Sequence, residues 1–412
     1  MTTAVLPPQV APYAGRIVDC DSHELMPAQL WIEVFGDVAK PLAEMVMTVP
    51  ERNKNHPNIP HFVADNAPIE RDTIWSTKGP EAPAAADMGR RVDVMDVMGI
   101  RSQMLFATSV GLWGISLLNM PAESNILRHV GGGSIEEGFV QARRMMDAHN
   151  EWLVGVARES KRIKAIAPIY GDSVEELITR ARWAIDRGLA GIWLTSGVPP
   201  AGLSPADNAM DPFYALLAEA QVALHFHISG YGRFLSTHKW GDAAAFEGFK
   251  TTAEISTNPW WLSAVHLSVQ NFIAAMVTGG VFDRHPDLHV LAAEHGASWI
   301  GPLAQMLDIW HDNNNSLHEK QYVNGPPGRK LPMRPSEYIR RNVRVTPFDF
   351  EPIGTYLDHY GLDTVYCFAS DYPHIEGGSD PMGKFTAQLD RHGPAVFEKF
   401  FVTNGEVLFP PV

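Results

Sequence analysis

The 412-residue sequence has only two cysteines and no run of lysine and arginine longer than a pair. Cys20 and Cys367 lie inside apolar runs rather than at disulfide-like spacings. That excludes a disulfide-stapled scaffold and suits buried thiols in a reducing compartment. With 47 acidic against 33 basic residues, a formal net charge of -14 and no basic tract, nucleic acid is excluded as the main partner. No segment approaches the roughly 20 apolar residues of a membrane span. The opening stretch "MTTAVLPPQVAPYAG" has no basic region followed by an apolar run, so a cytoplasmic protein without a membrane partner is expected. Charged residues are scarce at 19%, but 45% of the chain is hydrophobic, which excludes general disorder and supplies a large core.

What is present is an alternation of short apolar, β-branched stretches with helical patterns, the signature of parallel βαβ units. Eight strands are expected: 17–20, 103–107, 163–169, 190–195, 222–227, 288–293, 343–346 and 364–369. Ser134-x-x-Glu137 and Ser173-x-x-Glu176 mark helix starts, and Gly99 and Gly188 mark helix ends. Phe139, Ala142, Met146, His149 and Leu153 follow one helical face. The fold class is therefore α/β, and eight repeats favour a closed (β/α)8 TIM barrel, one domain over residues 1–412, with its chemistry at the C-terminal strand ends. An open doubly wound sheet is the alternative, but no Gly-x-Gly-x-x-Gly follows the first strand, and Gly131 to Gly133 follow no strand at all. Three segments, 25–86, 108–133 and 229–258, exceed ordinary loop length after strands 1, 2 and 5. Their aromatics, Trp31, Trp75, Trp113, Tyr231, Trp240 and Phe246, favour packed lids.

The ionisable residues gather at strand ends. If "RIVDCDSHELMP" stays extended, Asp19, Asp21 and His23 share one face, and Cys20 and Ser22 the other. Inward carboxylates need a partner, and a metal ion suits them because Asp oxygen and His nitrogen are both good ligands. Helix capping or pairing with Arg16 is the structural alternative. The fifth strand, "VALHFHISG", places His225 and His227 on one face, fit for a ligand and a hydrogen-bonding neighbour or for two core histidines. The sixth, "LHVLAAEH", ends in Glu294 and His295, one of which faces the barrel mouth in either register. The eighth, "TVYCFASDYPH", ends in Asp371, either catalytic or turn-forming. Glu24 could touch a ligand or cap a helix, and His374 could orient Asp371. Arg90 and Arg91 could receive a substrate carboxylate or lie on an exposed helix face.

The motifs "IVDCDSHE", "FHISG", "GGVFDRHPDLHVLAAEHGASWIGPLAQMLD", "RPSEYIRRNVRVTP" and "FASDYPHIEGG" resemble the amidohydrolase superfamily. The likeness is to the amidohydrolase-related branch that includes aminocarboxymuconate-semialdehyde decarboxylase and the aromatic acid decarboxylases, and it covers nearly the whole chain. It implies a metal held by Asp21 and His23 on the first strand, His227 on the fifth and Asp371 on the eighth. It also implies a catalytic sixth-strand group, Glu294 or His295, working with Asp371 and His227. The first ligand is Asp where the family commonly has His, and oxygen shifts preference toward manganese without excluding zinc. The fourth strand, "GIWLTSG", has no Lys for the carboxylated bridge of two-metal members, so one divalent ion, Mn2+ or Zn2+, is expected. Relatives imply a homodimer.

The implied activity is non-oxidative decarboxylation of a carboxylated aromatic or related small acid, the metal serving as template and Lewis acid. The same residues would also suit a hydrolase that cleaves an amide, a lactone or a carbon–carbon bond with a metal-activated water. A third possibility is an inactive binding barrel.

Overall fold

The computed structural model describes residues 6–48, 68–120, 124–228, 238–241, 243–247, 249, 258–317 and 331–410. Seven strands, β1 Ile17–Asp19, β2 Ile100–Leu105, β3 Ile163–Pro168, β4 Gly191–Trp193, β5 Ala223–His227, β6 Val290–Ala293 and β7 Val343–Val345, form one curled parallel sheet in chain order. Parallel neighbours need long crossovers, and here those crossovers are helical. Met88–Met98 joins β1 to β2, Ile135–Glu159 joins β2 to β3, and Val174–Asp186 joins β3 to β4. Ser134 and Ser173 accept from the backbone N–H of Glu137 and Glu176 and start two of these helices, as the capping pattern predicts. Gly99, with φ +74°, ends Met88–Met98 in the left-handed region that a side chain rarely adopts. Among the described residues no helix is long and apolar enough to cross a membrane.

Both faces of the sheet are buried, which is why its strands read as nearly continuous apolar runs. Ile17, Leu105, Ile192, Leu224 and Val290 pack against the helices. Val18, Met104, Ile166, Trp193, Ala223 and Leu291 form a second cluster on the opposite, concave side. Gly191 has no side chain because the imidazole of His225 occupies the space; a Cβ there would lie 2.7 Å from its Cε1.

Two expectations need correction. The segment 364–369 is not an eighth strand. Its backbone does reach both edges of the sheet, through Cys367 N–H to Val345 O at 3.0 Å and Cys20 N–H to Phe368 O at 2.9 Å. However, Phe368 N–H donates to Phe400 O, and Ser370 N–H donates to the Asp19 carboxylate, so a regular ladder does not form. Second, the described parts of 25–86 and 108–133 are mostly helical: Trp31–Phe35, Lys40–Thr48, Arg71–Ser76, Val110–Leu118 and Asn125–Val130. Trp31, Phe35 and Leu42 bury against Val110, Leu117 and Met145, and that apolar contact holds these short helices in place. Trp75 and Trp113 are partly buried, whereas Trp240 is 67% exposed. Tyr231 and most of 229–258 lie outside the described residues.

Candidate metal centre

The alternation rule breaks at the end of β1. Val18 and Cys20 belong to the concave cluster, so Asp19 points the other way, toward helix Met88–Met98. Its carboxylate accepts from Gln103 Nε2 at 2.8 Å, Ser370 N–H at 2.8 Å and Ser370 Oγ at 2.6 Å. Gln103 Oε1 in turn accepts from Arg91. Burial pushes the Asp19 carboxyl up to about 6 in spite of these donors. The strand stops after Asp19, and past that break Asp21 and His23 turn into the concave side. Asp19 therefore does not share a face with them.

Ligand-type atoms of Asp21, His23, His227 and Glu294 all lie within 4.8 Å of one another, as do those of His23, Asp371 and His374 and those of Glu294, Asp371 and Glu376. The His23 and His227 Nε2 atoms are 3.2 Å apart. Asp21 Oδ1 is 3.4 Å from the first and 3.5 Å from the second. Glu294 Oε2 is 3.1 Å from His227 Nε2, and Asp371 Oδ1 is 3.5 Å from His23 Nε2. All of these groups except the half-buried Glu376 are buried.

Four of the predicted site residues, Asp21, His23, His227 and Asp371, thus come together with Glu294. His295 does not join them. Alternation from Leu291 and Ala293 would turn His295 to the concave side, but Glu294 takes φ +56° and swings into the cluster. His295 Nδ1 instead bonds Ala293 O at 2.7 Å. Asp371 also has a positive φ, +50°. Left-handed conformations of this kind cost about 1–3 kcal/mol each in a residue with a side chain, and such strain tends to persist where surrounding structure and function require it. His225 shares a face with His227, as expected, but sits beside Gly191 and joins no cluster of ligand atoms among the described residues.

The electrostatics favour a cation. Burial pushes the Asp21 carboxyl up, but the imidazoles of His227 and His23 outweigh it and hold it below the usual carboxylate range. Burial, with His374 and His227 nearby, lowers His23 to about 3, so its ring is neutral. Burial and the neighbouring Asp371 and Glu376 raise Glu294 well above an ordinary carboxyl. Burial also raises Asp371, against the opposing effect of His374. His227 Nδ1 lies 3.1 Å from Ile228 O, which can only accept, so Nδ1 carries a proton and Nε2 is the ring atom turned to the cluster. Asp21 Oδ1 and both carboxylate oxygens of Asp371 are buried without a hydrogen-bond partner among the described residues. A neutral imidazole lone pair and bare carboxylate oxygens converging on one point fit a divalent cation, and the cluster can hold one.

Glu24 takes the helix-capping alternative, and Arg91 takes neither of its two. Glu24 is buried: its Oε1 accepts from Thr108 N–H, Ser109 N–H and Oγ, and His149 Nε2, and so caps the start of helix Val110–Leu118. Arg91 is fully buried and donates to the carbonyls of His23, Ala84 and Ala85, leaving it unsuited to a substrate carboxylate. Glu376 and Thr108 were not singled out, and both are polar loop residues without diagnostic spacing. Glu376 stood inside the quoted motif "FASDYPHIEGG", two residues beyond His374, which was the available signal. Phe106 and Trp193 wall the cluster, with ring centroids 4.8 Å and 5.2 Å from that of His227.

Comparison with known proteins bears on the fold and the family. An amidohydrolase of Mycobacterium avium subsp. paratuberculosis K-10 is 20% identical with a TM-score of 0.60, covering 95% of this chain and 99% of its own. A 5-carboxyvanillate decarboxylase of Novosphingobium aromaticivorans, solved with manganese and 4-hydroxy-3-methoxy-5-nitrobenzoic acid, is 18% identical with a TM-score of 0.59, covering 99% of both chains. A 2,6-dihydroxybenzoate decarboxylase from Rhizobium is 17% identical with a TM-score of 0.55, covering 96% of this chain and 98% of its own. At such identities the likeness establishes the fold. No curated protein sequence matches the chain. The amidohydrolase family model matches residues 118–410, most of the chain and all of the strand ends from β3 onward, and the protein belongs to that family.

Proposed function

We propose that this protein is a metal-dependent, non-oxidative decarboxylase of a hydroxylated aromatic carboxylate. The observation that carries the reading is the convergence of the His23 and His227 Nε2 atoms on the bare carboxylate oxygens of Asp21 and Asp371. We read the segment 365–372, bonded to both sheet edges, as the eighth position of a closed single-domain barrel, with the helical segments after β1 and β2 as covers of its mouth.

Asp21, His23, His227 and Asp371 would hold one divalent ion, and the oxygen-rich set favours manganese. When bound, such an ion would supply Lewis-acid stabilisation to an anionic substrate held beside these residues. Phe106 and Trp193 offer aromatic faces to a flat ring. Glu294 holds the proton to be delivered. It shares a hydrogen bond with Glu376, which two carboxyl groups make only when one is protonated. Glu294 hands its proton to the ring carbon that bears the carboxylate. The carbon–carbon bond then breaks, its electron pair returns to the ring, and carbon dioxide leaves. Glu376, less deeply buried than Glu294, passes a solvent proton back.

The cleft that reaches Asp21, Glu294 and Asp371, lined also by Thr346 and Phe348, is only about 20 Å³ among the described residues. Two larger cavities, about 390 Å³ and 290 Å³, include none of the cluster residues. The test is to offer the manganese-loaded protein a panel of carboxylated phenols and follow gas and product mass. Release of one carbon dioxide per substrate consumed is expected. A product heavier by one water, with no gas, would establish the hydrolase reading instead.

A further inference from the structure

We propose that Thr108 is a positioning residue of the metal centre: its hydroxyl, seated between His23 and His374, accepts the Nδ1 proton of His23 and so supports the tautomer that turns an unprotonated Nε2 toward the cation. The inference rests on the metal-centre reading above but not on which reaction the centre performs.

Thr108 Oγ1 lies 2.9 Å from His23 Nδ1 and 3.4 Å from His374 Nε2. The two imidazoles meet edge to face, with centroids 4.2 Å apart. A hydroxyl has one proton to give and two lone pairs to accept with, so three arrangements satisfy both contacts with neutral rings. In one, His374 Nε2–H donates to the hydroxyl and the hydroxyl donates to His23 Nδ1. The His23 proton then sits on Nε2, aimed at His227 Nε2 3.2 Å away, where it blocks a cation. In the other two, His23 Nδ1–H donates to the hydroxyl, which either gives its proton to His374 Nε2 or accepts from it as well. His23 then turns an Nε2 lone pair toward His227. A cation bound to His23 excludes the first arrangement, and the hydroxyl then serves as the acceptor behind the ligating ring.

The hydroxyl is held in place by the chain around it. Thr108 N–H donates to Glu24 Oε1 at 3.0 Å, and Ser109 anchors to the same oxygen through N–H at 2.8 Å and Oγ at 2.6 Å. His149, from the long helix Ile135–Glu159, closes the group with Nε2 at 3.2 Å. Glu24 follows His23 directly in sequence, so imidazole and hydroxyl are referenced to one buried carboxylate. The β-branched Thr side chain has few rotamers available, which narrows the hydroxyl position further.

The experiment compares wild type, Thr108→Val and Thr108→Ser by titrating the metal-stripped proteins with Mn2+ and reading free Mn2+ by electron paramagnetic resonance. Val keeps the shape and the backbone anchor to Glu24 but loses both hydroxyl contacts. Its Mn2+ affinity is expected to fall about 10–100-fold, the usual cost of losing the partner behind a ligating histidine. Ser is expected to restore binding to within about threefold, on the same reasoning. The melting temperatures of the three metal-free proteins are expected to coincide, which separates positioning from a general packing role. Wild-type affinity in Thr108→Val overturns the proposal, as does a Ser variant as weak as Val. A wild-type protein that binds no Mn2+ overturns both the centre and the role of Thr108. A protein that binds Mn2+ as expected but releases no carbon dioxide overturns only the decarboxylase reading.

Discussion

Replacing His227 with Ala is expected to reduce bound manganese from about one ion per chain to none and to abolish turnover. His227 Nε2 stands at the crossing of contacts to His23, Asp21 and Glu294, so its removal deletes the atom common to most of the cluster. Lewis-acid stabilisation of this kind contributes several kcal/mol, so the loss corresponds to about 10³-fold or more in rate. His225→Ala is the contrasting variant. It lies on the same strand face and is equally buried, yet joins no cluster of ligand atoms, and it should keep its metal. Elemental analysis of the three purified proteins reads the difference. Equal metal in wild type and His227→Ala would remove His227 from the ligand set.

Glu294→Gln should separate proton delivery from metal binding. Gln keeps the length of the side chain and its hydrogen-bonding ability, but an amide cannot give up a proton to a ring carbon. On the proposed mechanism kcat falls about 10²–10⁴-fold, the usual contribution of a positioned general acid, while Mn2+ remains bound through Asp21, His23, His227 and Asp371. The variant is not expected to destabilise the fold, because Glu294 is raised well above the ordinary carboxyl range by burial and by its acidic neighbours, and a neutral side chain relieves that cost. Metal content, melting temperature and kcat on one sample separate the possibilities. Unchanged turnover would move the proton to another group, Asp371 being the next in reach.

The parallel sheet and the chemistry at its strand ends were legible because both rest on short-range pattern. Apolar runs with β-branched residues, followed by capping serines, define βαβ units wherever both sheet faces are covered, and β1 to β7 fall within or next to the expected runs. The pairing of His225 with His227 on one face follows from the two-residue period alone. The misses occur where that period breaks. Asp21 and His23 leave the face that Asp19 occupies because β1 stops after Asp19. Which of Glu294 and His295 enters the cluster, left open by the sequence, turns on a left-handed residue that carries a side chain, and no composition rule foretells one. The eighth segment escapes strand geometry because the N–H groups of Phe368 and Ser370 go to Phe400 O and the Asp19 carboxylate, although Cys367 N–H still reaches β7, a long-range choice that local sequence does not encode. Thr108, Glu24 and Arg91 matter through single contacts made across the fold, and their residue types are common in loops and on surfaces. Arg91 in particular is buried by carbonyls of the chain segment after β1, a partner set invisible before folding.

The central claim is that one divalent cation sits between the histidines of β1 and β5, and anomalous scattering from crystals of the manganese-loaded protein tests it most directly. The account predicts one strong anomalous peak per chain, within coordination distance of His23 Nε2 and His227 Nε2 and of carboxylate oxygens from Asp21 and Asp371. No peak at saturating Mn2+, or a peak at carboxylates remote from both imidazoles, would contradict it.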